Sequence, residues 1–326
     1  MRKSIYAVIV SSVLLLLLAC VSLRVGAVPV PLRELWNSLT MQPSPDSYII
    51  LQYRLPRVVI ALLAGIGLAV AGDILQSIVR NPLASPDVIG ITKGAGFMAA
   101  AVIFLFPGAP SYALPLAAFL GAVIALIILL LLSKRMTLSP SSFALVGVAV
   151  GAVFQAGIQF LLVKHPSDVN MALLWMSGSL WGRDWQDVLT LLPWIAILTP
   201  VVWFSYPKLN VLQLGDEGSA ALGMNVPRQR FIMLMLAALL TGSSVAAVGS
   251  IGFIGMIAPH IARLFVGGRH QWLVPLSALI GADLMLLGDV IGRILIIPRE
   301  VPVGITTAVI GAPYFIYLLR RERKSV

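Results

Sequence analysis

Residues 212–230 read LQLGDEGSAALGMNVPRQR, the longest polar interval in the second half of a chain that otherwise has the composition of lipid-embedded helix. Asp216 and Glu217 follow Gly215, where a helix N-terminus attracts negative charge; Ala220, Ala221 and Leu222 extend the turn, and Gly223 stops it. This predicts a helix of about two turns. Pro227 blocks its continuation, and Arg228 and Arg230 stand directly before the apolar run from Phe231, as cytoplasmic juxtamembrane anchors do. A connection between two spans needs only a few residues, so one of this length with its own helix suggests a surface for another protein. An amphipathic linker has the same spacing.

The rest of the chain makes that interval exceptional. Of 326 residues, 59% are hydrophobic and 11% charged, with mean hydropathy +0.97, which excludes a soluble globular domain. A span takes about 20 apolar residues, so the length accommodates about ten helices in one transmembrane domain covering residues 1–326. The single cysteine, Cys20, excludes an intrachain disulfide and any Cys-based metal site. The net charge of +10 lacks a basic stripe with interleaved aromatics, so it reads as topogenic bias and not as a nucleic-acid surface. Arg2 and Lys3 before VLLLLLAC imitate a signal peptide, but apolar character runs on from Ile5 to Val25, which predicts a first span.

Taken in order, spans are expected near Ile5–Leu23, Val58–Ile78, up to Phe106, Leu116–Leu132, Phe143–Val163, Leu189–Phe204, Phe231–Val248, a broken helix in GSIGFIGMIAPHIAR (249–263), a ninth up to Ile291, and Thr306–Leu319. RNPLASPDVIGITKGAG (80–96) reads as a re-entrant turn, and HPSDVNMALLWMSGSLWGRDW (165–185) as an outer segment with a short helix. With this alternation about 15 of the 23 Lys and Arg fall on the side of both termini and about 8 on the other, so both termini and the 212–230 loop are cytoplasmic. Arg54, Arg57 and Arg293 then stand at the outer rim, where snorkelling to lipid phosphate competes with a binding role.

The fifth span carries Gly147, Gly151, Gln155 and Gln159 at i, i+4, i+8 and i+12 on one face, read either as close helix packing or as the lining of a translocation pathway. His260 has no metal-ligand partners at useful spacing, and no metal or other cofactor is expected. No G-x-x-x-x-G-K-[ST] motif exists, so the chain itself should not bind ATP, and no catalytic residues are expected. Asp73, Asp283 and Asp289 lie in or near spans, which keeps a proton-coupled secondary transporter open as an alternative.

The chain resembles the permease family of iron-siderophore and cobalamin ABC importers, often called FecCD or BtuC-like. RLPR (54–57), NPLASPDVIGITKGAG (81–96), the L-G-D-x-x-x-A-A-L-G-M pattern (214–224), SIGFIGMIAPHIAR (250–263), GDVIGR (288–293) and VPVGITTAVIGAPYFIYLL (301–319) carry the resemblance over almost the whole length. RNPLASPD and GSLWGRDW look most like ferric dicitrate permease subunits; a cobalamin or heme permease is the alternative within the family. The resemblance implies the type II ABC importer permease fold in a multi-pass bacterial inner-membrane protein. It also implies a second permease subunit, for which the dicitrate likeness favours a non-identical chain, together with two cytoplasmic ATPases, an extracytoplasmic binding protein and a ferric chelate as cargo. Within it, Leu214, Gly215, Asp216, Glu217, Ala220, Ala221, Leu222, Gly223 and Met224 form a coupling helix seated on the ATPase, and Arg54, Arg57 and Arg293 dock the binding protein. Pro298 and Arg299, close after Arg293, depart from the family pattern.

Overall fold

The computed structural model describes residues 2–26, 28–136, 140–166, 169–297 and 299–322; Pro298 lies outside them. Among the described residues the elements are helical: α1 (Arg2–Arg24), α2 (Leu32–Leu39), α3 (Leu55–Val79), α4 (Ile91–Leu105), α5 (Ala113–Met136), α6 (Pro140–Lys164), α7 (Val169–Met176), α8 (Trp185–Phe204), α9 (Tyr206–Leu212), α10 (Gly215–Ala221), α11 (Val226–Val248), α12 (Ile254–Val266), α13 (His270–Ile294) and α14 (Val303–Glu322). Seven of these helices are long and apolar enough to cross a membrane: α1, α3 with its lead-in, α5, α6, α8, α11 and α13. Three shorter apolar helices, α4, α12 and α14, complete the expected ten.

The short helices follow from how the chain enters the bundle. After α3 ends in the left-handed cap of Arg80, residues 81–90 turn back inward until Pro86 Cδ comes within 3.0 Å of where a Cβ at Gly255 would sit. Gly255 itself lies against Gly72, eight residues or about 12 Å up α3 from Arg80. The re-entrant turn has already covered part of the membrane, so α4 needs only 15 residues. On the other side of the bundle, α11 ends at Gly249, residues 249–253 dip inward, and α12 starts at Ile254 after Phe253 takes φ 69°.

The second span is longer than its sequence predicts. A π-helical turn, Ile49–Arg54, runs straight into α3, so the helical stretch extends from Ile49 to Val79 with Pro56 at the join. Arg54 and Arg57 are therefore helical residues near the end of the bundle. The sixth span also starts earlier, at Trp185, because Asp184 and Asp187 build a reciprocal capping box there.

α3 is the axis of the fold. It is buried nearly all round and touches α8, α11, α12 and α13. Hydrocarbon offers helices no hydrophobic reason to associate, so close backbone contact must supply the attraction. A Cβ on Gly65 would meet Gly281 O at 2.4 Å, and one on Gly72 would meet Gly255 O at 1.7 Å. Only glycine permits these two approaches. α13 runs alongside α3, with α1 and α14 against it.

Candidate functional site

At the face carrying α9 and α10, the segment 206–225 stands out from the bundle. α9 was not legible as a helix, although Ser205-Tyr206-Pro207 holds the signal of a proline in the first helical turn. Leu209 and Leu212 anchor it inward. α10 then turns back over α9, and Ser219, fully buried, donates its hydroxyl to Val211 O at 2.8 Å. Asp216, in the first turn of α10, pairs with Arg230 at 2.6 Å and with Arg80 at 3.5 Å. These are surface pairs worth under about 1 kcal/mol each, so they orient the segment more than they stabilise it.

What remains uncovered is a continuous face. Asp216, Glu217, Ala220, Ala221 and Gly223 are exposed, together with Leu214 at 62% and Leu222 at 65%. Gly223 closes α10 at φ 79°, a conformation in which other residues are strained, and Met224 is half-buried beneath it. Two exposed leucines on a short helix outside the spans leave apolar surface that water does not favour.

At the opposite face the structure brings Arg54, Arg57 and Arg293 together around the end of α1. Arg54 is 8% exposed and donates from Nη1 to Leu23 O (2.8 Å) and Arg24 O (2.9 Å), and from Nη2 to Val28 O. Arg293 is 5% exposed and donates to Ser22 O at 2.9 Å, Val25 O at 2.7 Å and the Ser22 hydroxyl. The last carbonyls of a helix have no intrahelical donors and form its negative pole, so two guanidinium groups satisfy both needs of α1 at once. Neither side chain reaches out to lipid or stands free. Arg57 clasps Asp289 through Nε (3.0 Å) and Nη2 (2.7 Å) and holds Glu300 at 2.8 Å. Asp289 also pairs with Arg293 at 2.9 Å, which makes this carboxylate the hub of the rim.

The other two intramembrane carboxylates have separate partners. Asp73, fully buried, lies 3.7 Å from Arg263 and 3.7 Å from His270 at the α9 end, and Asp283 accepts from Ser11 of α1 at 2.6 Å. His260 stacks edge-on to Tyr314 with ring centroids 5.9 Å apart. The α6 stripe divides: Gly147 and Gly151 lie under Ile89 and Gly90 of the re-entrant turn, whereas Gln155 is half-buried and Gln159 exposed.

Sequence reading missed Asp289 as a structural hub, Glu300 as a second partner of Arg57, and the polar side chains around His270. Each joins residues far apart in the chain; Arg57 and Asp289 are 232 positions apart.

Residues 14–321 match the FecCD transport family. The Fe(3+)-citrate import system permease protein YfmE of Bacillus subtilis (strain 168) is 50% identical, with 99% of this chain and 97% of that protein covered. The Fe(3+) dicitrate transport system permease protein FecD of Escherichia coli (strain K12) is 44% identical over 94% of this chain and 95% of that one. Among solved structures, an inward-facing metal-chelate type ABC transporter superposes with a TM-score of 0.86 at 31% identity, covering 96% of this chain and 98% of that chain.

The hub gives a first prediction. Asp289→Asn leaves Arg57 and Arg293 facing each other with one buried carboxylate fewer, and removing one partner of a buried pair costs about 3–5 kcal/mol. The detergent-purified variant should melt well below the wild type; equal melting temperatures would show that the rim does not depend on Asp289.

Proposed function

The chain belongs to the FecCD transport family, and on that premise we propose that it is the permease subunit of an ABC importer that brings a ferric chelate, ferric citrate foremost, across the bacterial cytoplasmic membrane. The ferric citrate reading is supported by what its close relatives are called and by the RNPLASPD and GSLWGRDW segments. Two ATPase subunits lie on the α10 side, a second and non-identical permease chain completes the pathway, and an extracytoplasmic binding protein delivers the chelate to the arginine rim.

The observation that carries this reading is the uncovered face of α10. Its small and apolar residues, Leu214, Ala220, Ala221 and Leu222, suit a groove on another protein, and Asp216 and Glu217 set a charge at its leading turn. ATP-driven closure of the ATPases moves α10, and the bundle re-tilts around the pathway. Leu222→Asp places an unpaired charge in that groove, which costs several kcal/mol, on the order of the whole contact. The variant should insert and fold, yet hydrolyse no ATP in response to loaded binding protein; a variant that still couples hydrolysis to uptake reduces the segment to a linker.

Docking at the outer rim falls on Arg57, whose pair with Glu300 is the more solvent-reached of its two contacts, Glu300 being 30% exposed. Arg54 and Arg293 hold the end of α1 beneath it. An incoming acidic group can replace Glu300 without disturbing Asp289. Arg57→Gln should slow association of the binding protein and Glu300→Gln should speed it, both most at low salt, because steering by charge is screened. Association rates and salt slopes that match wild type in both variants would remove Arg57 from the docking surface.

The pathway runs along Gln155 and Gln159, continuing the face that Gly147 and Gly151 begin under the re-entrant turn. Glycines, glutamines and apolar groups bind a large polar chelate weakly, which suits passage. In a Cys20→Ser background, cysteines at positions 155 and 159 should react with a water-soluble maleimide in a nucleotide-dependent pattern, and Val153→Cys should not. Unreactive cysteines at both positions, whatever the nucleotide, would leave the stripe as packing.

A further inference from the structure

The first backbone N–H groups of a helix need acceptors, and α13 finds none in its own N-cap residue, because the side chain of Arg269 makes no capping bond. The acceptor comes from α9. Asn210 Oδ1 receives the backbone N–H of His270 at 2.9 Å and lies 3.0 Å from His270 Nδ1. The backbone N–H can only donate, which fixes the oxygen of the Asn210 amide on this side and its Nδ2 toward Gln271 Oε1 at 3.3 Å. With an acceptor already in place, His270 Nδ1 carries the proton. Its Nε2 then faces the Ser77 hydroxyl of α3 at 2.7 Å, inside the bundle, where His270 is fully buried.

We propose that Asn210 and His270 are positioning residues that couple the displacement of α10 to the α3–α13 pair. This rests on the permease reading above and adds the route by which the ATPase contact reaches the pathway side. The physical basis is a rigid column gripped at both ends. α3 and α13 touch backbone to backbone at Gly65 and Gly281, so they cannot slide independently. Their outer ends share the Arg57–Asp289–Arg293 cluster, and their inner ends share His270 and Ser77.

α10 itself is fastened to α9 through Ser219, runs on through residues 222–225 into α11, with Met224 packed on the core, and is otherwise held to the bundle by exposed charge pairs of Asp216. Exposed pairs stretch and exchange with water, so they transmit little force. The Asn210 amide, by contrast, grips the backbone of α13 directly. A push on α10 therefore passes through α9 and Asn210 to the start of α13, and α3 follows through His270 and Ser77. A coupling route requires an element that both sites bias, and the column is that element: α10 acts on its inner end and Arg57 belongs to its outer end.

The test uses the complete transporter in lipid nanodiscs or proteoliposomes, with its ATPases, second permease chain and loaded binding protein. Asn210→Ala should assemble and keep basal ATP hydrolysis, while ferric chelate taken up per ATP falls about ten-fold, the size of a typical coupling between sites. Asn210→Asp retains an oxygen for both donors and should restore coupling, a rescue that a mere space-filling role does not predict. Wild-type coupling in Asn210→Ala, or equal loss in Asn210→Asp, overturns the proposal.

A second measurement covers the case in which Asn210→Ala assembles poorly. Spin labels at Lys208→Cys on α9 and Ile294→Cys at the far end of α13, in a Cys20→Ser background, report whether the two elements move together. Their separation should stay constant when nucleotide is added to the complex with Asn210 intact, a readout that does not need the Asn210→Ala complex. A separation that changes with nucleotide while Asn210 is intact overturns the proposal. Failure of the permease reading looks different: the complex with Asn210 intact then takes up no ferric chelate, and the proposal falls with it.

Discussion

Backbone contact between α3 and its neighbours holds the bundle together. Gly65 against Gly281 and Gly72 against Gly255 bring main chains to distances at which a single methyl group has no room. In water such helices would be driven together by their apolar faces; in hydrocarbon that drive is absent, and dispersion between closely apposed backbones takes its place. The position of α13 beside α3 then decides which side chains can meet at either end. Two polar clusters, at the outer rim and around His270, lie where that column ends.

Charge is placed accordingly. Buried ions are costly unless each finds several partners, and the outer rim meets this condition by spending guanidinium hydrogen bonds on the orphan carbonyls of α1. Asp289 neutralises two arginines from different helices, so α1, α3 and α13 are tied at one point. At the inner end, beside the buried Asp73 and its partner Arg263, the neutral Asn210 amide serves as the missing cap of α13. A transporter needs parts that move as units and parts that yield, and here the α3–α13 column is fixed by buried bonds while the charge pairs between α10 and the bundle are exposed.

Much of this was legible without coordinates. Hydropathy set the number of apolar helices, the prolines and glycines of residues 80–96 and 249–263 announced the interrupted spans, and Gly215 to Gly223 defined a two-turn helix that the structure places at Gly215–Ala221. The grouping of Arg54, Arg57 and Arg293 at one rim followed from alternating topology alone. Their partners did not. Arg54 reads locally as a juxtamembrane cation, and only the fold reveals that its donors turn inward to Leu23, Arg24 and Val28.

The sequence by itself determined what depends on neighbours within a turn or a span: which segments are helical, where glycine or proline interrupts them, and which ends carry the positive charge. Tertiary structure alone decided which buried polar group meets which, because those pairs join residues such as Arg57 with Asp289 and Asn210 with His270, 232 and 60 positions apart. Helix propensity and hydropathy are local sums along the chain. The pairing of Asp289 with Arg57 requires α3 and α13 to be adjacent and in register, and that register is set by two glycines whose close approach nothing in their local sequence discloses.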